Sequence, residues 1–202
     1  MFFQFALNAY AYSAICIANH EYRILMRPIQ EEDRDVLNLT YGNADAMKTY
    51  MDGTARSPKE IDNRFSRYKE WSIDSNVPWV HMLAFLLPKD NPHSKEFLGS
   101  FMIEPEMQEG KCVAEISYVL RAEFWRKGFG TLCIKNFLSL TIPILQQFKI
   151  PSIVATAHPH NTGSVKLLEK NAFVCQEHPT HVRSAEASYT QEDRILYVRS
   201  IM

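Results

Sequence analysis

Glycine is scarce in this chain, with seven in 202 residues, about half the roughly 7% share of an average protein. That rules out collagen-like repeats and glycine-rich linkers, and any close pair of glycines then needs a reason. Cysteine is sparse too. Cys16, Cys112, Cys133 and Cys175 lie far apart, each in a mainly apolar run. They form no CxxC pair and no Cys/His spacing of a zinc site, and a disulfide framework is not expected at this size. Buried free thiols in a reducing cytoplasm are expected instead. Neither charge sign predominates, since 22 Lys and Arg face 23 Asp and Glu. The footprint of a dedicated nucleic-acid binder is therefore missing.

The first 19 residues contain no Lys or Arg, so the basic region of a secretory signal is lacking. Gln4, Asn8 and Ser13 interrupt the same apolar stretch, which argues against a membrane span. What is present is globular: 46% hydrophobic and 22% charged residues, a length suited to one domain. We expect an apolar arm over residues 1–20, with no assigned role, and a single domain over residues 21–202. The arm and a possible edge strand leave monomer and homodimer both open.

The pattern sharpens at Tyr22. Tyr22 to Arg27 reads as a short strand stopped by Pro28, and residues 30–40 as a helix with acids at its start. Ser57-Pro58-Lys59-Glu60 is a capping box with proline in the first helical position. The helix it opens is expected to reach about Ser75, with Ile61, Phe65, Tyr68 and Trp71 on one stripe. Residues 79–87, 96–103 and 111–120 read as three strands in an antiparallel meander, with residues 104–110 as a turn. A helix over 129–148 is expected to end or kink at Pro143. A strand at 152–157, a helix at 162–171 and strands at 173–183 and 194–201 complete the reading. The fold class is mixed α/β around one sheet.

Two segments carry chemistry. In the first, the strand Ala114 to Leu120 leads through Trp125-Arg126-Lys127-Gly128-Phe129-Gly130-Thr131 into a helix. N–H groups at a helix start have no intrahelical partner, and glycine lets an anion approach them closely. Arg126 and Lys127 would add countercharge for a phosphate or pyrophosphate. The pair matches neither GxxxxGK[ST] nor a full dinucleotide fingerprint, and a tight turn with close helix–sheet packing would also explain it. The second segment, about thirty residues on, is Asn161-Thr162-Gly163-Ser164 followed by Leu168-Glu169-Lys170-Asn171-Ala172-Phe173.

Together these segments resemble the GNAT superfamily of acyl-CoA-dependent N-acetyltransferases, and its RimJ/RimL-like ribosomal-protein N-terminal acetyltransferase branch in particular. Arg126 to Gly130 resembles that family's pyrophosphate loop, and the second segment its N-x-x-S … L-E-K-x-G-F signature. The resemblance spans residues 22–202. It implies the GNAT fold, a mixed, mostly antiparallel sheet flanked by helices. It also implies transfer of an acetyl group from acetyl-CoA to a primary amine by direct attack in a ternary complex. Two departures stand out. Ala172 replaces the usual glycine, so a less unusual backbone is expected there. Leu168 stands where many superfamily members carry a tyrosine that protonates the leaving thiolate.

For this chemistry Glu115 is the first candidate base, on a strand flanked by apolar residues where desolvation would raise its pKa. A solvated carboxylate, or one paired with arginine, is the plainer reading. His81 and His178 are lesser alternatives. A backbone N–H of Tyr118 or Val119 is the candidate oxyanion donor. Ser164 is the candidate proton donor to the thiolate, unless its hydroxyl only stabilises the helix start. Asn161 is a candidate pantetheine contact or a pure N-cap. The cofactor set is thus Tyr118, Val119, Arg126, Lys127, Gly128, Phe129, Gly130, Thr131, Asn161 and Ser164. No metal is expected: His158 and His160 flank Pro159 without a third ligand. Cys133 reads as core.

The acceptor, a protein N-terminus or a small amine, is expected between residues 30–75 and 179–193. Asp45, Asp52, Asp62, Asp74, Glu186, Glu192 and Asp193 could attract a cation there. Neither nucleic acid nor membrane is expected as a partner. The rival reading is a non-catalytic acyl-CoA sensor or interaction module.

Overall fold

The protein is described by a computed structural model over residues 14–17, 21–71, 78–91, 94–108, 110–176 and 194–202. Its strands are β1 (Ala14–Ile17), β2 (Tyr22–Arg27), β3 (Val80–Pro88), β4 (Glu96–Gln108), β5 (Lys111–Leu120), β6 (Ser152–Ala157), β7 (Val174–Cys175) and β8 (Ile195–Ser200). They form one sheet in the order β1-β2-β3-β4-β5-β6-β8-β7. Only β5 and β6 run parallel, and every other pairing is antiparallel. The mixed, mostly antiparallel sheet expected from the sequence is present. Residues 14–17 of the N-terminal arm belong to it, paired with β2.

Helices cover both faces. On one face lie α1 (Asn38–Tyr41), α2 (Ala44–Met47) and α3 (Pro58–Trp71). Their buried residues, among them Tyr41, Met47, Ile61, Phe65 and Tyr68, pack on Leu83, Phe85, Phe97, Met102 and Val119 of the sheet. On the other face lie α4 (Phe129–Gln147) and α5 (Thr162–Lys170). There Cys133, Phe137, Leu145 and Leu168 pack on Phe101, Ile116, Ile153 and Tyr197. The period-2 alternation of β5 serves both cores, sending Val119 to the first and Ile116 to the second.

Several local expectations hold for physical reasons visible in the structure. The capping box forms: the Ser57 N–H donates to Glu60 Oε2 at 2.8 Å, and the Glu60 N–H to Ser57 Oγ at 3.4 Å. Asn161 caps α5 by accepting from the Ser164 N–H at 3.1 Å. Gly99 faces a β-bulge, where a Cβ would stand 2.4 Å from the Val119 carbonyl oxygen, so only glycine lets β4 and β5 close there.

Other expectations are corrected. Residues 30–40 do not make one helix; they break into 3-10 turns at Glu31–Asp33 and Asp35–Leu37 before α1. The buried pair between Arg27 and Asp33, at 2.5 Å, holds the first of these turns against β2. β4 continues to Gln108 through the supposed turn. Because β3 starts opposite Ile103, Pro105 sits where β4 has a single strand neighbour among the described residues, an edge position that tolerates a missing N–H. Nor does Pro143 end its helix, since α4 runs through it to Gln147. Pro143 and Ser139, whose carbonyl loses its partner, both face outward, so water can take that bond. α4 is long and apolar enough to cross a membrane, yet its apolar side is buried on the sheet.

Ala172 departs most clearly from expectation. Its φ of 61° is left-handed despite its side chain, closing α5 as glycine commonly does. The thiols are corrected too: Cys133 is buried, whereas Cys112 and Cys175 are exposed. The strand expected over 173–183 is seen only at Val174–Cys175. Residues 177–193, like the helix end expected near Ser75, lie outside the described residues.

Candidate active site

β5 pairs with β4 along its whole length, but with β6 only at Ala114↔Ile153 and Glu115↔Val154. Beyond that point the two parallel strands part. The far edge of β6 is fully paired with β8. Among the described residues, the backbone groups of alternate residues of 116–120 on the edge away from β4 therefore face those of residues 155–157 across a slot in the sheet without strand partners. An extended chain carrying amides can satisfy such groups as an added strand would. Tyr118 and Val119 lie on this stretch, and the alternation of the strand turns the N–H of only one of them toward the slot.

The slot leads to the head of α4. Arg126 and Gly128 both take left-handed φ, 61° and 84°, with Lys127 between them. Alternation of this kind turns successive N–H groups toward one concavity, a nest for an anion. The first-turn N–H groups of Phe129, Gly130 and Thr131 continue it at the positive end of a 19-residue helix. The Trp125 indole N–H donates to the Leu120 carbonyl at 3.0 Å, tying this loop to the end of β5. Arg126 and Lys127 are exposed, and neither has an ion-pair partner among the described residues.

The two glycines differ in role. A Cβ on Gly128 would meet nothing within 4 Å, so its requirement is conformational and leaves approach open. A Cβ on Gly130 would stand 2.8 Å from Leu167 Cδ1, so Gly130 lets α4 and α5 pack.

The head of α5 lies on the same side of the sheet. Asn161 is committed twice, accepting from the Ser164 N–H and donating through Nδ2 to Thr49 Oγ1 at 2.7 Å. It therefore links α5 to the chain just after α2 as well as capping the helix. Ser164 Oγ does not turn back on its own helix. It lies 2.7 Å from the Tyr118 hydroxyl. Leu168, one turn on, is fully buried.

Glu115 occupies the opposite face, at the point where the slot opens. Burial pushes its carboxyl up to about 8, Glu106 and Glu104 push the same way, and Arg194 pulls it back. Register explains the grouping: Glu104 is directly opposite Glu115, and Glu106 follows two residues along the same face. Glu106 is itself raised, by burial first and Glu104 second. Ser117 Oγ and Glu106 Oε2 on this face are shut from solvent without a hydrogen-bond partner among the described residues. Such groups call for water or a bound polar ligand.

The alternative bases fare differently. His81 is buried, with Nε2 2.8 Å from Ser100 Oγ and its ring stacked on Tyr68 at 3.8 Å. Burial first and Arg64 second push it down to about 3, so the imidazole is neutral and walled in. His178 lies outside the described residues. His158 and His160 approach each other at 5.2 Å, and among the described residues no group of three metal-ligating side chains occurs.

The carboxylates expected to attract a cation do not gather. Asp52 pairs with Arg56 and Asp62 with Arg34, both at 3.0 Å; Asp45 is exposed in the first turn of α2. Asp74, Glu186, Glu192 and Asp193 lie outside the described residues. The acidic site is instead Glu104, Glu106 and Glu115. Reading 104–110 as a turn hid it; the alternation Glu104-Pro105-Glu106 was available in the sequence, but its place opposite Glu115 comes from the register of β4 on β5.

The candidate site thus joins a slot between diverging parallel strands, an anion nest at its end and a desolvated carboxyl where the strands part. The sequence matches the acetyltransferase (GNAT) domain over residues 23–174, and the chain belongs to the GNAT acetyltransferase family. A comparison with curated proteins finds no sequence match. Among solved structures, a GNAT-family acetyltransferase from Bacillus anthracis is similar at 16% identity and a TM-score of 0.65, covering 93% of this chain and 99% of its own. Mycobacterium smegmatis RimJ, in complex with CoA-disulfide, is similar at 17% identity and 0.64, covering 88% and 82%. Spermidine N-acetyltransferase from Vibrio cholerae, in complex with CoA and spermine, is similar at 18% identity and 0.63, covering 88% and 95%.

Proposed function

We propose that this enzyme transfers the acetyl group of acetyl-CoA to a primary amine by direct attack in a ternary complex. The reading rests chiefly on Glu115, a carboxyl raised to about 8 at the point where β5 and β6 part. The pyrophosphate sits on the nest of Arg126 to Thr131, and the pantetheine arm runs down the slot beside Tyr118, Val119 and Asn161. The thioester then lies between the two faces, with Glu115 on the acceptor side and Ser164 on the other.

Three tasks follow. An ammonium group gives its proton to Glu115, directly or through a water, and becomes nucleophilic. The amine nitrogen bonds to the carbonyl carbon, and the N–H of Tyr118 or Val119 meets the developing oxyanion. The C–S bond breaks, its electron pair goes to sulfur, and the Ser164 hydroxyl supplies a proton or hydrogen bond there.

Glu104 and Glu106 beside the base favour an acceptor that carries positive charge, an N-terminal α-ammonium or a small polyamine-like molecule. The setting we propose is cytoplasmic. The test is CoA release across a panel of amines and N-terminal peptides, comparing wild type with Glu115→Gln. Amine-dependent release that collapses in the variant supports the reading. Tight CoA binding with no turnover of any amine would favour a non-catalytic CoA-binding module instead.

A further inference from the structure

Leu168 leaves the usual helical position for a tyrosine acid filled by core, yet a phenol still reaches the same helix start from the strand. Tyr118 and Ser164 are 46 residues apart and meet at 2.7 Å. Resting on the acetyltransferase reading above, we propose that Tyr118 is a positioning residue for the leaving group: its phenol donates to Ser164 Oγ and so aims the Ser164 hydrogen at the departing sulfur.

The direction of that hydrogen bond follows from the chemistry of the two hydroxyls. The Tyr118 ring packs in the α4-side core, stacked with Phe101 at 6.4 Å. Ser164 is its hydroxyl's only hydrogen-bond partner among the described residues. Both groups are half-buried, and of the two hydroxyls the phenol is the more acidic and so the better donor, while the serine oxygen is the better acceptor. With Tyr118 as the donor, the Ser164 hydrogen is left over at a half-buried helix start beside the slot.

Ser164 has no competing local use. A side chain in its position would ordinarily reach back to the N–H of the capping residue, but the Asn161 N–H is already taken by the His158 carbonyl at 2.8 Å. Burial pushes the Tyr118 phenol well above its ordinary range. Tyr118 therefore keeps its proton throughout the working pH range. It holds a donor in place and does not act as an acid.

The step balances without a proton leaving the pair. The amine nitrogen, neutral after giving one proton to Glu115, forms its bond to the carbonyl carbon. The C–S bond breaks, and the thiolate departs with the electron pair while accepting the Ser164 hydrogen bond. The second nitrogen proton leaves to water as the neutral amide forms, and the first stays with Glu115.

The test combines Tyr118→Phe, which keeps the ring, with Ser164→Ala, the double variant, and two acetyl donors. One donor is acetyl-CoA. The other is an analogue whose thiol is made more acidic by fluorine on the carbon next to the thiol-bearing one. With acetyl-CoA, kcat should fall roughly tenfold in each single variant, KM for the donor should hold within about twofold, and the double variant should be no worse. With the acidic thiol the deficit should shrink towards none, because that sulfur needs less help.

A Tyr118→Phe enzyme at the wild-type rate, or the same deficit for both donors, would overturn the proposal in favour of a packing role. If Tyr118→Phe melts without cooperativity, Ser164→Ala carries the donor comparison alone, and a deficit independent of the thiol overturns it equally. Wild type that acetylates no amine is a different result, seen before any variant is compared, and defeats the acetyltransferase reading together with this one.

Discussion

Replacing Glu115 with glutamine should make the protein more stable and less active at once, with both effects following pH. The group's pKa is about 8 in the fold against 4.5 ordinarily. A group raised in this way stabilises the fold fully below about pH 4.5, and its contribution is lost as pH climbs through 8. At about 1.4 kcal/mol per pKa unit, charging it costs up to about 4 kcal/mol at pH 8. Even half of that would raise the melting temperature of Glu115→Gln over wild type by roughly 4–8 °C at pH 8. Near pH 4 the two proteins should melt together. The base must also be deprotonated to act, so wild-type kcat/KM should rise roughly tenfold between pH 7 and 9 and level off above the pKa. The variant should lose about 10²–10⁴ in kcat and the rising limb with it. Thermal melts and CoA release over pH 5–9 test both halves. Equal loss of stability in Glu115→Gln at every pH would refute desolvation of the carboxyl, and an unchanged pH profile would refute its role as base.

Three further outcomes follow from the same geometry. Glu106→Gln removes the strongest push on Glu115 after burial, so the activity limb should move to lower pH, by roughly one unit at most; an unmoved limb would separate Glu106 from the base. Gly128→Val should raise KM for acetyl-CoA about tenfold or more while costing about 1–2 kcal/mol for its φ of 84°, whereas Gly130→Val, pressed on Leu167, should lower the melting temperature with less effect on KM. Equal KM values in wild type and Gly128→Val would remove the pyrophosphate assignment. Ala172→Gly should stabilise by about 1 kcal/mol in denaturant titration, because Ala172 holds a φ of 61°; a destabilised variant would contradict that account.

Much of the fold was legible because its signals are local. The Ser57–Glu60 box, the Asn161 cap and the alternation of β5 each act within a few residues. The extent of β4 and the continuity of α4 were not. Whether Pro105 breaks a strand depends on whether β3 lies beside it, and whether Pro143 breaks a helix depends on which side faces water. Ala172 shows the same limit: substitution alone suggested an ordinary backbone, but the turn into Phe173 imposes the left-handed one.

The site divides in the same way. Gly128, Ser164 and Glu115 stand out from motif and alternation. The partnership of Glu115 with Glu104 and Glu106 required the register of β4 on β5. The contact of Tyr118 with Ser164 required a helix and a strand far apart in sequence to close on each other. Gly130, which reads in sequence as another phosphate glycine, turned out to serve the packing of α4 on α5.

The central claim, acetyl transfer to an amine through Glu115, is tested most directly by mass spectrometry of an amine and N-terminal-peptide panel incubated with acetyl-CoA and the enzyme. The account predicts at least one acceptor carrying a single added acetyl group with wild type, favouring those with a second positive charge, and a collapse of that product with Glu115→Gln. Product formed equally by both proteins, or acetyl-CoA bound with no acceptor modified, would contradict it.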